Sequence, residues 1–249
     1  MTAALSLLES RHSVRDYSLQ PVSQEMVRSL QADLTMTCTH EAGLWFQMRT
    51  QDSDPFRGFL RSYGMFRNPT NYVACVIDPS YPDTIERAGY FAEQFVIKAV
   101  GMGLGTCFVG GTYSADHVNV PLRAGQRILM LVLFGVPAET PRALAGAISG
   151  LFKGKRKEPR WYFEGTDEEY ADACRQFPWL ETGLAGAACA PSWANGRPVR
   201  FAVKDGAVIA RVDTKVEHNL IDLGIAKYNF AAAVGHGDWE WGNEAPFIP

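Results

Sequence analysis

The sequence feature that most constrains the fold is a long apolar stripe at helical spacing in residues 83–100. Apolar side chains recur every three or four residues for about five turns, and they are Ile85, Ala88, Ala92, Phe95, Val96, Ala99 and Val100. This pattern predicts a central helix against which other elements pack. Four charged residues lie between them, and we expect these to form the solvated face of the helix: Glu86, Arg87, Glu93 and Lys98.

Two continuous apolar runs, residues 73–77 and 128–136, predict buried strands. The second is the longest apolar run in the chain, and it is only about half of the roughly 20 residues that a membrane helix requires. We therefore expect no membrane association. An Asp205-Gly206 pair separates two further apolar segments, which predicts a β-hairpin with a type I′ turn.

Capping residues and apolar spacing predict further helices. They are expected near residues 2–9, after Pro21 with Ser23 as the N-cap, after Thr166, over residues 179–189 and over residues 221–235. Residues 35–67 mix aromatic residues with glycines, and we expect short strands and an irregular, lid-like segment there. The aromatic residues from Trp45 to Phe66 either belong to the core or cover a pocket.

Two arginines and a serine alternate near the N-terminus, at Arg11, Ser13 and Arg15. In an extended backbone, residues two apart point to the same side, so the three side chains can converge on one group. Guanidinium groups bind phosphate oxygens in pairs, and a hydroxyl adds a third hydrogen bond. The stretch therefore indicates an anion site. The alternative is two ordinary surface arginines beside a serine.

Two other stretches each allow two interpretations. The glycine-rich residues 101–111 follow a helix rather than a strand and lack the spacing of a P-loop or a dinucleotide-binding loop. They predict either a helix end with a turn, or backbone amides that approach a flat ligand closely. The cationic residues 153–157 are either a solvated linker or a source of further phosphate ligands.

Composition narrows the function further. A net charge of -3 gives no global field for binding nucleic acid or an anionic membrane. The five cysteines are widely spaced without a C-x-x-C pair, so we expect neither a zinc site nor a disulfide framework, and a reducing cytoplasm fits best. No histidines pair at metal-ligand spacing and no hydrolase motif is found in the sequence, which leaves no obvious side-chain catalyst.

Two helical segments, residues 90–101 and 224–235, resemble each other and both end in Ala-Val-Gly. This similarity indicates an internal duplication with a boundary between about residues 148 and 164. Chance similarity between two alanine-rich helices is the alternative.

Four motifs together resemble the FMN-dependent nitroreductase family. They are Arg11-x-Ser13-x-Arg15, Gly-Leu-Gly-Thr at 103–106, the Gly110-Gly111 pair and Ala-Pro-Ser-Trp-Ala-Asn at 190–195. The chain is most similar to the single-chain subgroup in which two halves mimic the usual homodimer. The resemblance implies an α+β fold with a central mixed or antiparallel sheet flanked by helices, divided into halves 1–155 and 156–249.

The resemblance also implies which residues bind FMN. Residues 11–15 and the cationic residues 153–157 would hold the phosphate and ribityl chain. The Gly110-Gly111 pair would lie near the flavin N5, and the turn after residue 190 would contact the ring from the second half. The implied residues are Arg11, His12, Ser13, Arg15, Gly110, Gly111, Lys155, Lys157, Pro191, Ser192, Trp193, Asn195 and Arg197. Arg197 stands where the family often has Gln, so its contact with the flavin pyrimidine edge differs from the usual one.

The activity implied is ping-pong hydride transfer from NADH or NADPH, through the flavin N5, to a small organic acceptor such as a nitroaromatic or quinone. The chain would act as a monomer, with an internal pseudo-dimer, or as a homodimer. One alternative is a non-catalytic FMN-binding or sensing protein of the same fold. Another is a scaffold that has lost its cofactor.

Overall fold

The computed structural model describes residues 3–57, 64–142 and 156–249. The chain divides into two compact units that do not follow a single boundary in sequence. One, here called the sheet unit, comprises Arg11–Thr84 and Phe95–Lys153; the other, the helical unit, comprises Met1–Ser10, Ile85–Gln94 and Gly154–Pro249. The division into halves at residue 155 stays a prediction.

The sheet unit is built on four antiparallel strands: β1 (Leu44–Arg49), β2 (Tyr72–Ile77), β3 (Gly105–Val109) and β4 (Arg127–Gly135). Their spatial order is β1-β2-β4-β3. The two predicted apolar runs form β2 and β4, which lie at the centre and are buried along nearly their whole length. These two strand predictions are confirmed, because runs that are apolar on both faces belong in the middle of a covered sheet.

Helix α2 (Gln24–His40) also belongs to the sheet unit. The Ser23 hydroxyl accepts a hydrogen bond from the Met26 amide, which confirms the predicted N-cap. The helix extends to His40, and β1 is a short strand of the kind expected within residues 35–67. Phe56 and Phe66 are buried against each other in the core, which favours the core alternative for these two aromatic residues.

The glycine-rich stretch divides into two parts. The central helix, α3 (Thr84–Gly101), ends as predicted, and Gly103 adopts a φ of 81° in the turn that follows. The prediction of a turn is wrong for Gly105–Val109, which form the edge strand β3. A side chain at Gly105 would collide with Val14, so the glycine allows the N-terminal segment to approach this strand.

The helical unit contains α1 (Ala3–Ser10), α4 (Pro159–Tyr162), α5 (Asp167–Gln176), α6 (Leu180–Ala187) and α7 (Glu217–Val234), together with two short hairpins. Thr166 and Glu169 form a capping box, which confirms the predicted start of α5. Strands β5 (Arg200–Lys204) and β6 (Ala207–Arg211) form the predicted hairpin, and both turn residues have positive φ angles. The last hairpin joins β7 (Asp238–Trp239) to β8 (Phe247–Ile248).

An aromatic core supports this unit. Phe230 of α7 lies at its centre, with its ring centroid 5.2 Å from those of Phe201 and Trp239 and 5.3 Å from that of Phe247. These contacts join α7 to both hairpins. Among the described residues, no helix has the length and apolar character needed to cross a membrane.

The prediction that α3 has a solvated face is wrong for three of the four charged residues assigned to it. Glu86, Arg87 and Glu93 are all buried, and only Lys98 remains partly exposed. The reason is that α7 packs on this face, where a side chain at Gly224 would overlap the backbone of Glu86 and one at Gly89 would overlap that of Ile221. The two helices therefore approach closely at glycines, and the charged residues around the crossing find partners within the protein.

Candidate functional site

The segment from Arg11 to Tyr17 runs along β3 in an extended conformation. Ser13 forms a parallel bridge with Thr106, and the Val14 amide donates to the Thr106 carbonyl at 2.8 Å. Beyond it, the Arg67 amide donates to the Arg15 carbonyl at 2.9 Å. Backbone hydrogen bonds thus hold the segment on two sides. Its extended conformation agrees with the alternating pattern of its side chains.

The side chains of this segment alternate between two environments. Val14 and Asp16 are buried, whereas Arg11, Ser13 and Arg15 are half-buried on the other side. Asp16 is held by Arg142, whose Nε donates to Oδ1 at 2.9 Å, and this partner lowers the pKa of Asp16 against the effect of burial. The buried side therefore anchors the segment and leaves the two arginines and the serine facing the same way.

Arg11, Ser13 and Arg15 all act on the thiol of Cys107. Burial raises the pKa of this thiol, while the charges of Arg15 and Arg11 and a hydrogen bond with Ser13 act in the opposite direction. All three side chains consequently lie within electrostatic or hydrogen-bond range of one atom. The alternation of these side chains along the segment is as predicted, and their binding of one common anion stays a prediction.

One nitrogen in this cluster is suited to an additional acceptor. Within the described part of the chain, Nε of Arg11 is buried and has no hydrogen-bond partner. Burying a charged donor without an acceptor is costly, commonly about 1–3 kcal/mol or more. Two guanidinium groups with a hydroxyl between them match the oxygens of a phosphate monoester, so these residues fit the phosphate of FMN.

The remaining candidates of the sheet unit lie at and beyond the end of β3. Gly110 and Gly111 directly follow the strand and are exposed. Gly110 is four positions beyond Thr106, which corresponds to about 13 Å along an extended chain. His12 is exposed and points away from the side that holds Arg11 and Arg15. Lys155 lies outside the described residues.

The predicted turn after residue 190 is a compact structure in the helical unit. The Ser192 hydroxyl accepts a hydrogen bond from the Arg197 amide at 2.9 Å. Ala194, Asn195 and Arg197 all have positive φ angles near 50°, an uncommon conformation for residues with side chains. Such backbone strain persists only where surrounding contacts hold it, and it is often found at functional sites.

Asp222 holds this turn from α7. Its two carboxylate oxygens each accept a hydrogen bond from the Trp193 amide at 3.1 Å, and the Trp193 ring stacks on His218 with centroids 5.0 Å apart. Asp222 is only 4% exposed, and burial raises its pKa from 3.8 to about 7. Asp222 and Arg197 both line a small cleft, with Pro191, Ser192 and Tyr162.

Sequence reasoning missed Cys107 and Asp222. The sequence contains a signal for the second, because Asp222 is the one charged residue in the otherwise apolar stretch from Leu220 to Ala226. A carboxylate in such a position must be paired or must change its pKa. No comparable signal marks Cys107, since a cysteine in an apolar strand is ordinarily a packing residue.

The architecture is the α+β nitroreductase-like fold. Residues 4–234 match the family model described as "Putative TM nitroreductase". This match spans most of the chain, so the chain belongs to this nitroreductase family.

A solved structure described as a "putative nitroreductase" from Thermotoga maritima has the same fold, with a TM-score of 0.62 at 16% identity over 99% of this chain and 92% of that one. A nitroreductase with bound FMN from Desulfitobacterium hafniense gives a TM-score of 0.47 at 16% identity, over 57% of this chain and 92% of that one. The second likeness is too distant to carry an argument about this chain. No curated protein matches the sequence.

Proposed function

We propose that this protein is an FMN-dependent oxidoreductase that takes hydride from NADH or NADPH and reduces a small organic acceptor such as a nitroaromatic or a quinone. The observation that carries the proposal is the convergence of Arg11, Ser13 and Arg15, with a buried Arg11 Nε that has no acceptor in the described part of the chain. Membership of a nitroreductase family supports the same activity.

The chain's own residues would act by binding and placement. Arg11 and Arg15 would hold the phosphate, and Ser13 would add a hydroxyl donor. The amides of Gly110 and Gly111 would donate to the ring, in keeping with their position beyond the end of β3. FMN, when bound, supplies the hydride-transfer chemistry, so no side-chain nucleophile is required.

Several finer assignments remain predictions. FMN contacts by His12, Lys155, Lys157 and the turn residues Pro191, Ser192, Trp193, Asn195 and Arg197 rest on the family resemblance. The tandem-repeat origin and the cytoplasmic location are also predictions. Sedimentation of the flavin-loaded protein would distinguish a monomer from a homodimer.

Two measurements test the proposed function. The first is the absorption spectrum after FMN has been added and the excess removed, in which flavin bands are expected to stay with the protein. The second is oxidation of NADH or NADPH, which should be slow alone and faster with a quinone or nitroaromatic. If the protein retained flavin but oxidised neither NADH nor NADPH with any acceptor, a binding or sensing protein would be favoured. Failure to retain FMN would contradict the proposal.

A further inference from the structure

A buried carboxylate lies directly beside the residues proposed to bind phosphate. Asp16 follows Arg15 in the extended segment, and its side chain lies on the opposite side, together with that of Val14. Asp16 is only 3% exposed. An ionised group left alone in the protein interior is costly, so a carboxylate this deeply buried must be paired. Its partners therefore bear on how the segment is held.

Arg142 is the main partner of Asp16. Its amide donates to Oδ2 of Asp16, and its Nε donates to Oδ1 at 2.9 Å. Its Nη2 lies 2.8 Å from Oδ1, so the guanidinium and the backbone of one residue both contact the carboxylate. Charge-assisted bonds of this kind are strong and fix the two groups in one orientation. Arg142 thus attaches residues 11–17 to the stretch of chain that follows β4.

Arg67 provides a second cation on this side of the segment. Burial alone would raise the pKa of Asp16, but its bonds with Arg142 and the charges of Arg142 and Arg67 lower it. The Arg67 amide donates to the Arg15 carbonyl at 2.9 Å. Nη2 of Arg67 donates to the Thr140 carbonyl at 3.1 Å. Arg67 therefore contacts both of the segments that the pair of Asp16 and Arg142 joins.

These contacts have two consequences for the anion site. They hold the backbone at Arg15 before any ligand binds, which reduces the ordering that phosphate binding requires. They also place two guanidinium groups against the charge of Asp16. An unpaired carboxylate one residue from Arg15 would weaken the positive potential that attracts a phosphate. Arg142 and Arg67 oppose this effect from the other side of the segment.

We propose that Asp16 and Arg142 are positioning residues for phosphate recognition, because their pair holds Arg11, Ser13 and Arg15 in the orientation that binds the phosphate of FMN. Neither side chain of the pair has to contact the ligand. The inference rests on the proposed function and adds two residues that the family resemblance does not imply. It requires that the pair affect binding of the phosphate and leave binding of the flavin ring unchanged.

Fluorescence titration with FMN and with riboflavin, which differ by the phosphate, tests this requirement. R142M should lose about tenfold or more in FMN affinity, because the segment is loosened and Asp16 loses its main partner. Riboflavin affinity should change by less than about twofold. R142K keeps the charge without the paired nitrogens and should fall between wild type and R142M. R123M removes an exposed arginine of the same unit and serves as the control.

A double substitution separates the role of the pair from a general loss of structure. D16N/R142M has no uncompensated carboxylate, so its FMN affinity should be at least about threefold higher than that of R142M. It should still be at least about threefold below that of wild type, since the pair is absent. This second comparison applies even if circular dichroism shows that R142M does not fold. Equal losses of FMN and riboflavin affinity would overturn the inference in favour of a general structural role.

Amide hydrogen exchange of the ligand-free protein gives a readout that needs no flavin. The amides of Val14 and Arg67, which hold the segment on its two sides, should exchange at least about tenfold faster in R142M than in R123M. Unchanged exchange at both amides would overturn the inference, as would a preference of R142M for FMN over riboflavin equal to that of wild type. Wild-type protein that binds neither flavin would contradict the proposed function and the inference together, a pattern distinct from absence of the R142M effect alone.

Discussion

Lys227 Nζ lies 2.5 Å from Oε1 of Glu86, and both side chains are buried. Lys227 also donates to the carbonyls of Glu240 and Gly242, and Oε2 of Glu86 accepts a hydrogen bond from the Gly242 amide. The pair thus joins α3, α7 and the C-terminal segment within the helical unit. Every partner in this network depends on the others, because a buried charge left alone is costly.

Removing one member of the pair should be strongly destabilising. We expect K227M to lower the free energy of unfolding by about 3–5 kcal/mol, because Glu86 is left as an uncompensated buried charge. Chemical denaturation followed by circular dichroism measures this loss. K204M is the matched control, since Lys204 forms an exposed pair with Glu244 and its loss should change the midpoint little. Equal midpoints for the two variants would contradict a stabilising role for the buried pair.

The glycine crossing of α3 and α7 makes a separate prediction. G224A should lower the free energy of unfolding by about 1–3 kcal/mol, because the added methyl group would overlap the backbone oxygen of Glu86 and force the helices apart. Thermal unfolding measures the effect. G196A, at an exposed turn with a negative φ, is the control. If G224A were as stable as G196A, the close approach of the two helices would be wrong.

Asp222 should make stability depend on pH. Its pKa is raised in the folded protein, so its contribution is fully present below the unfolded value of 3.8 and is lost as the pH rises through about 7. Relative to D222N, which removes the charge, wild-type protein should lose up to about 4 kcal/mol between about pH 4 and pH 8. Denaturation of both proteins across this range provides the difference. If the stability of wild-type protein relative to D222N stayed constant or rose with pH, Asp222 would not be buried in its neutral form.

Cys107 offers a test of the convergence of the arginines. C107D places a carboxylate between Arg11 and Arg15, where it should pair with them and compete with a bound phosphate. FMN affinity should then fall about tenfold or more, whereas C107S should retain it. Circular dichroism of both variants establishes that they are folded before FMN titration. Equal FMN affinity in the two folded variants would show that the arginines do not meet at this position.

The sequence was sufficient to predict the parts of the structure that follow local rules. Alternation placed Arg11, Ser13 and Arg15 on one side of an extended segment, and the apolar runs identified β2 and β4. These features follow from periodicity, which can be recognised from residues that are close together in the sequence.

The features that were missed depend on residues distant in the chain. Glu86 and Glu93 have the spacing of a solvated helix face, and only the packing of α7, more than 120 residues later, makes them buried. The strand Gly105–Val109 was obscured by its first residue and by the glycines on either side of it, because its pairing with β4 and with Ser13 is a tertiary contact. The raised pKa of Asp222 likewise arises from its burial in the folded chain.

The central claim is that Arg11, Ser13 and Arg15 bind the phosphate of FMN, and it is tested most directly by comparing FMN with riboflavin, which lacks the phosphate. Fluorescence titration of wild-type protein, R11A, R15A and the exposed-arginine control R123A gives the affinities. We predict that wild type and R123A prefer FMN strongly, and that R11A and R15A each lose about 10- to 150-fold in FMN affinity with little change for riboflavin. An FMN preference that survives in both R11A and R15A would contradict the account.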